Sequence, residues 1–133
     1  MENAAVRRRT MQAVRSTNTK PELAVRRLAY YLGYRYRLHR KDLPGKPDLA
    51  FIGRRKAVFV HGCFWHGHEC ARGNRAPKTN ADYWSAKLGR NRVRDVDNVK
   101  KLEAYDWRVL IIWECEMKQL SEIKTRLSQF LGK

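Results

Sequence analysis

The sequence predicts an α/β fold, on three observations. Three segments carry apolar residues at helical spacing. Ala57–Val60 is a continuous apolar run, and Trp107–Trp113 (WRVLIIW) is apolar but for Arg108, as in buried strands. Turn residues separate the segments into the order α-β-β-β-loop-α-β-α, with no internal repeat and no linker between domains.

The elements follow in chain order. Residues 1–18 are polar and carry Arg7, Arg8, Arg9 and Arg15, a basic N-terminal arm ahead of a single domain over 19–133. Thr19-Lys20-Pro21-Glu22 reads as a helix start, with Thr19 as N-cap and Glu22 at the capping-box position. Ala24, Leu28 and Tyr31/Leu32 supply an apolar face, and Gly33 stops the helix. Tyr34, Tyr36 and Leu38 alternate with arginines, a strand pattern. Leu43-Pro44-Gly45-Lys46-Pro47 is a turn, Asp48–Ile52 a short strand, and Gly53-Arg54-Arg55 a second turn. The Ala57–Val60 strand follows. Gly62–Ala76 is irregular. A long helix is expected from about Asn80 to Ala104, with Trp84, Leu88, Val96 and Val99 on its apolar stripe. The strand over Trp107–Trp113 and a helix marked by Ile123, Leu127, Phe130 and Leu131 complete the chain.

The 133 residues suffice to bury roughly two-thirds of the unfolded surface in one core. Lys and Arg number 29 against 13 Asp and Glu, a formal charge of +16. That excess implies an anionic partner and favours nucleic acid, with affinity falling steeply in salt as counterions are released. Charge alone is silent on catalysis. The first residues hold no apolar run of signal-peptide type, and no stretch approaches the roughly 18 apolar residues of a membrane span. A cytoplasmic, nucleoid-associated protein without a membrane partner is expected. The three cysteines cannot all pair in disulfides, so thiols or a metal site are expected.

His61, Cys63, His66, His68 and Cys70 fall in one window, HGCFWHGHEC, and Cys115 lies just past the second apolar strand. If the two strands are neighbours, their ends bring Cys115 to the loop. Three thiolates and one imidazole make a tetrahedral zinc site that clips the loop to the sheet. Spacing leaves open which histidine is the fourth ligand. Asp48 begins a strand beside the one ending at Val60-His61. Phosphodiester hydrolysis needs such a carboxylate to hold Mg²⁺, which takes oxygen ligands. A nearby histidine titrating near neutrality moves the proton, and His61 and His66 are the candidates. Gly-x-Pro-Asp also reads as an ordinary turn, and Glu22 as an ordinary cap. The adjacent Phe64 and Trp65 on a metal-clipped loop cannot both face a core, so they are candidate wedges between base pairs. Trp84, on a helical stripe, reads by itself as core, as do Trp107 and Trp113.

Leu43-Pro-Gly-Lys-Pro-Asp48, Val60-His-Gly-Cys-Phe-Trp-His66-x-His68-x-Cys70, Lys87-x-Gly-x-Asn91-x-x-Arg94-Asp95 and Trp107-Arg-Val-Leu-Ile-Ile-Trp-Glu-Cys115 together resemble the very-short-patch-repair (Vsr) DNA mismatch endonucleases. Met11-Gln12-Ala13, Thr19 and Glu22 fit the same pattern, so the resemblance spans nearly the whole chain. It implies a restriction-endonuclease-like mixed β-sheet flanked by helices, with a structural zinc site. It implies double-stranded DNA with a T·G mismatch, as left by 5-methylcytosine deamination, as substrate. The enzyme, a monomer with mismatch-repair proteins as further partners, would nick 5′ to the thymine. Asp48 would bind magnesium, together with the backbone carbonyl of Val60, where family members carry threonine. His66 would help activate the water, His61 would support the phosphate or leaving group, and Glu22 would join the metal–water network. Zinc would be held by Cys63, His68, Cys70 and Cys115. Phe64, Trp65 and Trp84 would intercalate, against the core reading of Trp84. Asn91, Arg94 and Asp95 match without a physical role. Two other readings remain: a restriction-type endonuclease acting on paired DNA, and a non-catalytic zinc-containing DNA-binding protein. Asp48, His66 and Glu22 together argue against the second, and the aromatic pair against the first.

Overall fold

The structure is a computed structural model that describes residues 19–63, 66 and 80–132. The basic arm over 1–18 and Phe64, Trp65, His68 and Cys70 therefore lie outside the described residues.

Four strands form one mixed sheet: β1 (Arg37–Leu38), β2 (Leu49–Phe51), β3 (Lys56–His61) and β4 (Arg108–Trp113), in spatial order β1-β2-β3-β4. The β1–β2 and β2–β3 pairs are antiparallel. The β3–β4 pair is parallel, from Lys56 opposite Arg108 to His61 opposite Trp113. A parallel pair needs a long crossover, and α2 (Ala81–Ala104) supplies it. The other helices are α1 (Lys20–Tyr31) and α3 (Leu120–Leu131). The element order and the mixed sheet are those the sequence predicts.

Alternation along β3 divides the core in two. Val58, with Val60 at its edge, faces a cluster of Val25 and Ala29 from α1, Leu49 and Phe51 from β2, Ile112 from β4, and Ile123, Leu127 and Leu131 from α3. Ala57 and Phe59 face the opposite side, where Leu102 of α2 packs with Leu43, Trp107, Val109 and Ile111. Helices thus cover both faces. Among the described residues no helix is long and apolar enough to cross a membrane.

Several details depart from the sequence reading. In α1 the Thr19 hydroxyl accepts from the Glu22 N–H at 3.3 Å, as an N-cap should. The buried face, however, runs Glu22, Val25, Ala29. Of the expected Ala24, Leu28 and Tyr31/Leu32 face, Leu28 and Leu32 pack against the margin of the core, while Tyr31 is 76% exposed. The small Val25 and Ala29 let the helix lie close to the sheet, and Glu22 is carried inside. The alternating Tyr34–Leu38 segment forms only a two-residue strand. Tyr34 and Tyr36 instead set their rings edge-on to Phe51, at centroid distances of 6.3 and 6.2 Å.

The largest departure is in α2. Its boundaries are as expected, but Val96 is 55% exposed, and Leu102 is its one fully buried residue among those described. The side facing the sheet carries Asn91, Asp95 and Asn98 at intermediate burial. Trp84, Leu88 and Val99 of the expected stripe are part-buried on the same side, so the helix lays a mixed apolar and polar face over the cleft, and Leu102 anchors its C-terminal end. Strand β4 is also less buried than predicted, with Ile112 alone fully enclosed, because it ends the sheet order.

Candidate active site

The cleft forms where the β2–β3 ladder stops. The last paired residues at this end are Leu49 and Val58. Beyond them the Val60 N–H has no strand partner in β2 and donates instead to Asp48 Oδ2 at 2.7 Å. In a strand, the N–H and C=O of one residue lie on the same edge. The Val60 carbonyl therefore faces the Asp48 side as well.

Asp48 is 8% exposed and Glu22 only 1%. Burial pushes the Asp48 carboxyl up to about 8; the adjacent Glu22 carboxyl adds to the rise, and the Val60 N–H and Arg26 oppose it. Glu22 is held by Arg26 and by His39, whose Nε2 lies 2.7 Å from Glu22 Oε1 and 3.9 Å from Asp48 Oδ1. Ligand atoms of Glu22, His39 and Asp48 all lie within 4.8 Å of one another.

On the other wall, His61 and His66 stack in parallel, with centroids 3.8 Å apart and planes 1° apart. Phe59 and Trp113 flank His61 at 5.6 and 5.1 Å. In this enclosure burial lowers His61 to about 4, and the neighbouring His66 lowers it further while Asp95 opposes. His61 is thus neutral at physiological pH. His66 Nδ1 lies 2.6 Å from Asp95 Oδ2. A carboxylate on Nδ1 fixes the tautomer with the proton there and leaves Nε2 as the basic nitrogen.

Both groups open into one cleft of about 180 Å³, lined also by Lys46, Asn98 and Val99. The turn before Asp48 forms its rim. Gly45 has φ +77°, and a Cβ there would come within 3.0 Å of the Asn98 side chain. Glycine is therefore required both for the left-handed turn and for the close approach of α2.

The donor chemistry fits a hard divalent cation. Two buried carboxylates and a strand-edge carbonyl offer oxygen ligands, and an ion there would relieve the enforced protonation of Asp48. The zinc set is half described. The parallel β3–β4 pair brings the two chain segments together, and the Cys115 N–H donates to the Sγ of the fully buried Cys63 at 3.3 Å. Two cysteines brought together at the ends of neighbouring strands suit a thiolate metal clip. Trp84 sits at the start of α2, outside both core clusters, edge-on to Tyr83 at 5.3 Å with Lys87 over its ring. Among the described residues its core reading is not met.

The structure brings together Glu22, Asp48, Val60, His61 and His66, five of the residues singled out by sequence. Sequence reasoning missed His39 and Trp113 as site residues and assigned Asp95 no role. Asp95 had a signal, its place in the Asn91–Asp95 motif. His39 had only its titratable side chain just ahead of the turn.

The profile of the family described as DNA mismatch endonuclease Vsr matches residues 2–72. The Type II nicking enzyme V.XorIIP of Xanthomonas oryzae pv. oryzae is 54% identical over 125 residues, covering 94% of this chain and 91% of the relative. The Type II nicking enzyme V.NmeAIP of Neisseria meningitidis is 40% identical, covering 91% and 86%. The DNA mismatch endonuclease Vsr of Escherichia coli K12 is 36% identical, covering 86% and 72%. With these relatives matched along most of its length, the chain belongs to the DNA mismatch endonuclease Vsr family and is an endonuclease.

Proposed function

We propose that this protein nicks duplex DNA 5′ to the thymine of a T·G mismatch by hydrolysing one phosphodiester bond, initiating very short patch repair. The observation that carries the reading is the single cleft into which Asp48, with Glu22 buried beside it, and the His66–Asp95 pair both open. Lys46 on its rim and the +16 charge of the chain suit a phosphate backbone.

Asp48, Glu22 and the Val60 carbonyl would hold Mg²⁺. When bound, the ion polarises the scissile phosphate as a Lewis acid. His66 accepts the proton of the attacking water at Nε2, while Asp95 holds the ring through Nδ1 and stabilises the resulting imidazolium. The water oxygen forms the new bond to phosphorus as the phosphorus–oxygen bond to the leaving strand breaks. Neutral His61 serves the phosphate or leaving oxygen by hydrogen bonding, not by charge. Cys63, His68, Cys70 and Cys115 would hold a structural Zn²⁺, tying the segment after β3 to the end of β4. Phe64 and Trp65 lie in sequence between Cys63 and His66, so a wedge built from them, with Trp84, would place an unstacked base step beside the cleft.

The test is nicking of end-labelled duplexes, one with a T·G mismatch and one fully paired, with Mg²⁺ or EDTA, using wild type and Asp48→Ala. Mg²⁺-dependent cleavage of the thymine strand alone, lost in the variant, is expected. Equal cutting of both duplexes would overturn the mismatch reading, and binding without cutting would overturn the enzymatic one.

A further inference from the structure

We propose that His39 is a direct ligand of the catalytic cation, so that the site holds Mn²⁺-class ions through two carboxylates and one imidazole. The inference rests on the reading of Glu22 and Asp48 as the cation site.

Three observations carry it. First, His39 Nε2 faces both carboxylates, 2.7 Å from Glu22 and 3.9 Å from Asp48. An octahedral ion with bonds of about 2.1 Å places neighbouring donors about 3.0 Å apart and opposite donors about 4.2 Å apart. Both distances lie within about 0.3 Å of those values, so an ion needs only small side-chain shifts. Second, His39 takes φ +47°, a left-handed conformation unusual for a residue with a Cβ. Such strain costs about 1–3 kcal/mol and persists where the surroundings hold it, often at a ligand clamp. Third, His39 lines the cleft that also contains Asp48, His61 and His66, so an ion held by it reaches the same substrate phosphate.

The chemistry of the donor set gives the consequence. Carboxylate, carbonyl and water suit Mg²⁺ and Mn²⁺ alike, whereas an added imidazole nitrogen favours the transition-metal ion over Mg²⁺. His39 thereby sets which cation the site prefers. The alternative is that His39 merely steadies Glu22 through their hydrogen bond.

His39→Gln separates the two. Glutamine keeps a donor for Glu22 but replaces the nitrogen ligand with an oxygen. Mn²⁺ and Mg²⁺ affinities are measured without DNA, by electron paramagnetic resonance of free Mn²⁺ and by Mg²⁺ competition, on wild type and on His39→Gln and His39→Ala. The metal-free variants are checked by thermal unfolding. In wild type, nitrogen coupling to bound Mn²⁺ is expected in electron spin-echo spectra. In His39→Gln the coupling weakens, and the Mn²⁺/Mg²⁺ affinity ratio falls at least about tenfold, the scale of losing a metal-site contact. An unchanged ratio in His39→Gln with unaltered nitrogen coupling would overturn the proposal, even if both affinities drop together. Failure of wild type to nick any duplex would sink the enzymatic reading but leave this result standing. Failure of Asp48→Ala to weaken Mn²⁺ binding would sink the cation-site reading itself.

Discussion

Asp95→Asn isolates the proton-transfer step from everything else the cleft does. Asp95 Oδ2 accepts from His66 Nδ1 at 2.6 Å, and both side chains are partly shielded from water. Asparagine is the same size, so the position of α2 is kept. Its amide can donate to Nδ1, and the proton of the neutral ring then moves to Nε2. His66 would point an N–H, not a lone pair, at the water. The loss should approach that of removing the base altogether, about 10²–10⁴ in rate, or about 2.7–5.5 kcal/mol of transition-state stabilisation. Ground-state binding of DNA should not weaken, because the substitution removes a negative charge from the cleft and keeps the side chain's size. The assay is single-turnover nicking of a T·G duplex at saturating enzyme, with DNA affinity measured separately in EDTA. A rate within threefold of wild type would refute the tautomer argument. So would a loss explained wholly by weaker DNA binding.

Other outcomes follow from the same geometry. Because Asp48 holds a proton up to about pH 8 without a cation, binding of Mg²⁺ should release it, and apparent affinity should fall up to about tenfold per pH unit below 8. Calorimetry in two buffers of different ionisation heat checks this, and Asp48→Asn should abolish the release. The same raised value stabilises the metal-free fold, fully below about pH 4 and progressively less as the pH rises through 8. Melts of EDTA-treated protein should therefore show Tm declining from pH 6 to 9, and Mg²⁺ should offset the decline. Cys63→Ser should lower the zinc content found by elemental analysis and reduce Tm, since the wholly buried Cys63 sulfur has Cys115 beside it. Leu102→Ala should cost about 2–5 kcal/mol in urea unfolding. It should also slow nicking, because Leu102 anchors the helix that carries Asp95.

Legibility in the sequence followed the range of the physics. Patterns set by nearest neighbours were readable: the Thr19 cap, the turn before Asp48, the two apolar strands and the ends of α2. That the two apolar strands are neighbours was anticipated only as a condition for Cys115 to reach the loop, and the parallel register with His61 opposite Trp113 meets it. What failed depended on tertiary placement. Val96 looked like a core residue at helical spacing, yet it is exposed, and the inward face adds the polar Asp95 and Asn98 to Leu88 and Val99. Spacing placed Trp84, Leu88 and Val99 on the inward side, but it could not show that the polar residues interleaved there line a cleft. Glu22 shows the same conflict. It reads as a cap because its backbone is one, while its side chain points to His39 and Arg26. His39 was invisible because nothing local distinguishes it from the arginines around it.

The placement of the site has a structural cause in strand β3. Its first residues pair with β2 on one edge and β4 on the other, which uses their backbone groups fully. From Val60 onward only the β4 edge is paired, so the freed edge requires a polar partner in a nearly dry setting. Asp48 supplies that partner and is thereby fixed in position, at the cost of being held protonated. A residue so placed is ready for a cation, which would satisfy the carboxyl, its Glu22 neighbour and the exposed strand-edge carbonyl at once. One residue on, alternation turns His61 to the opposite face, where it meets His66 and α2. Two residues further, Cys63 reaches the end of β4. The spacing of Val60, His61 and Cys63 is therefore imposed by a strand that leaves its sheet on one edge before the other, and an insertion between Val58 and Cys63 would uncouple all three.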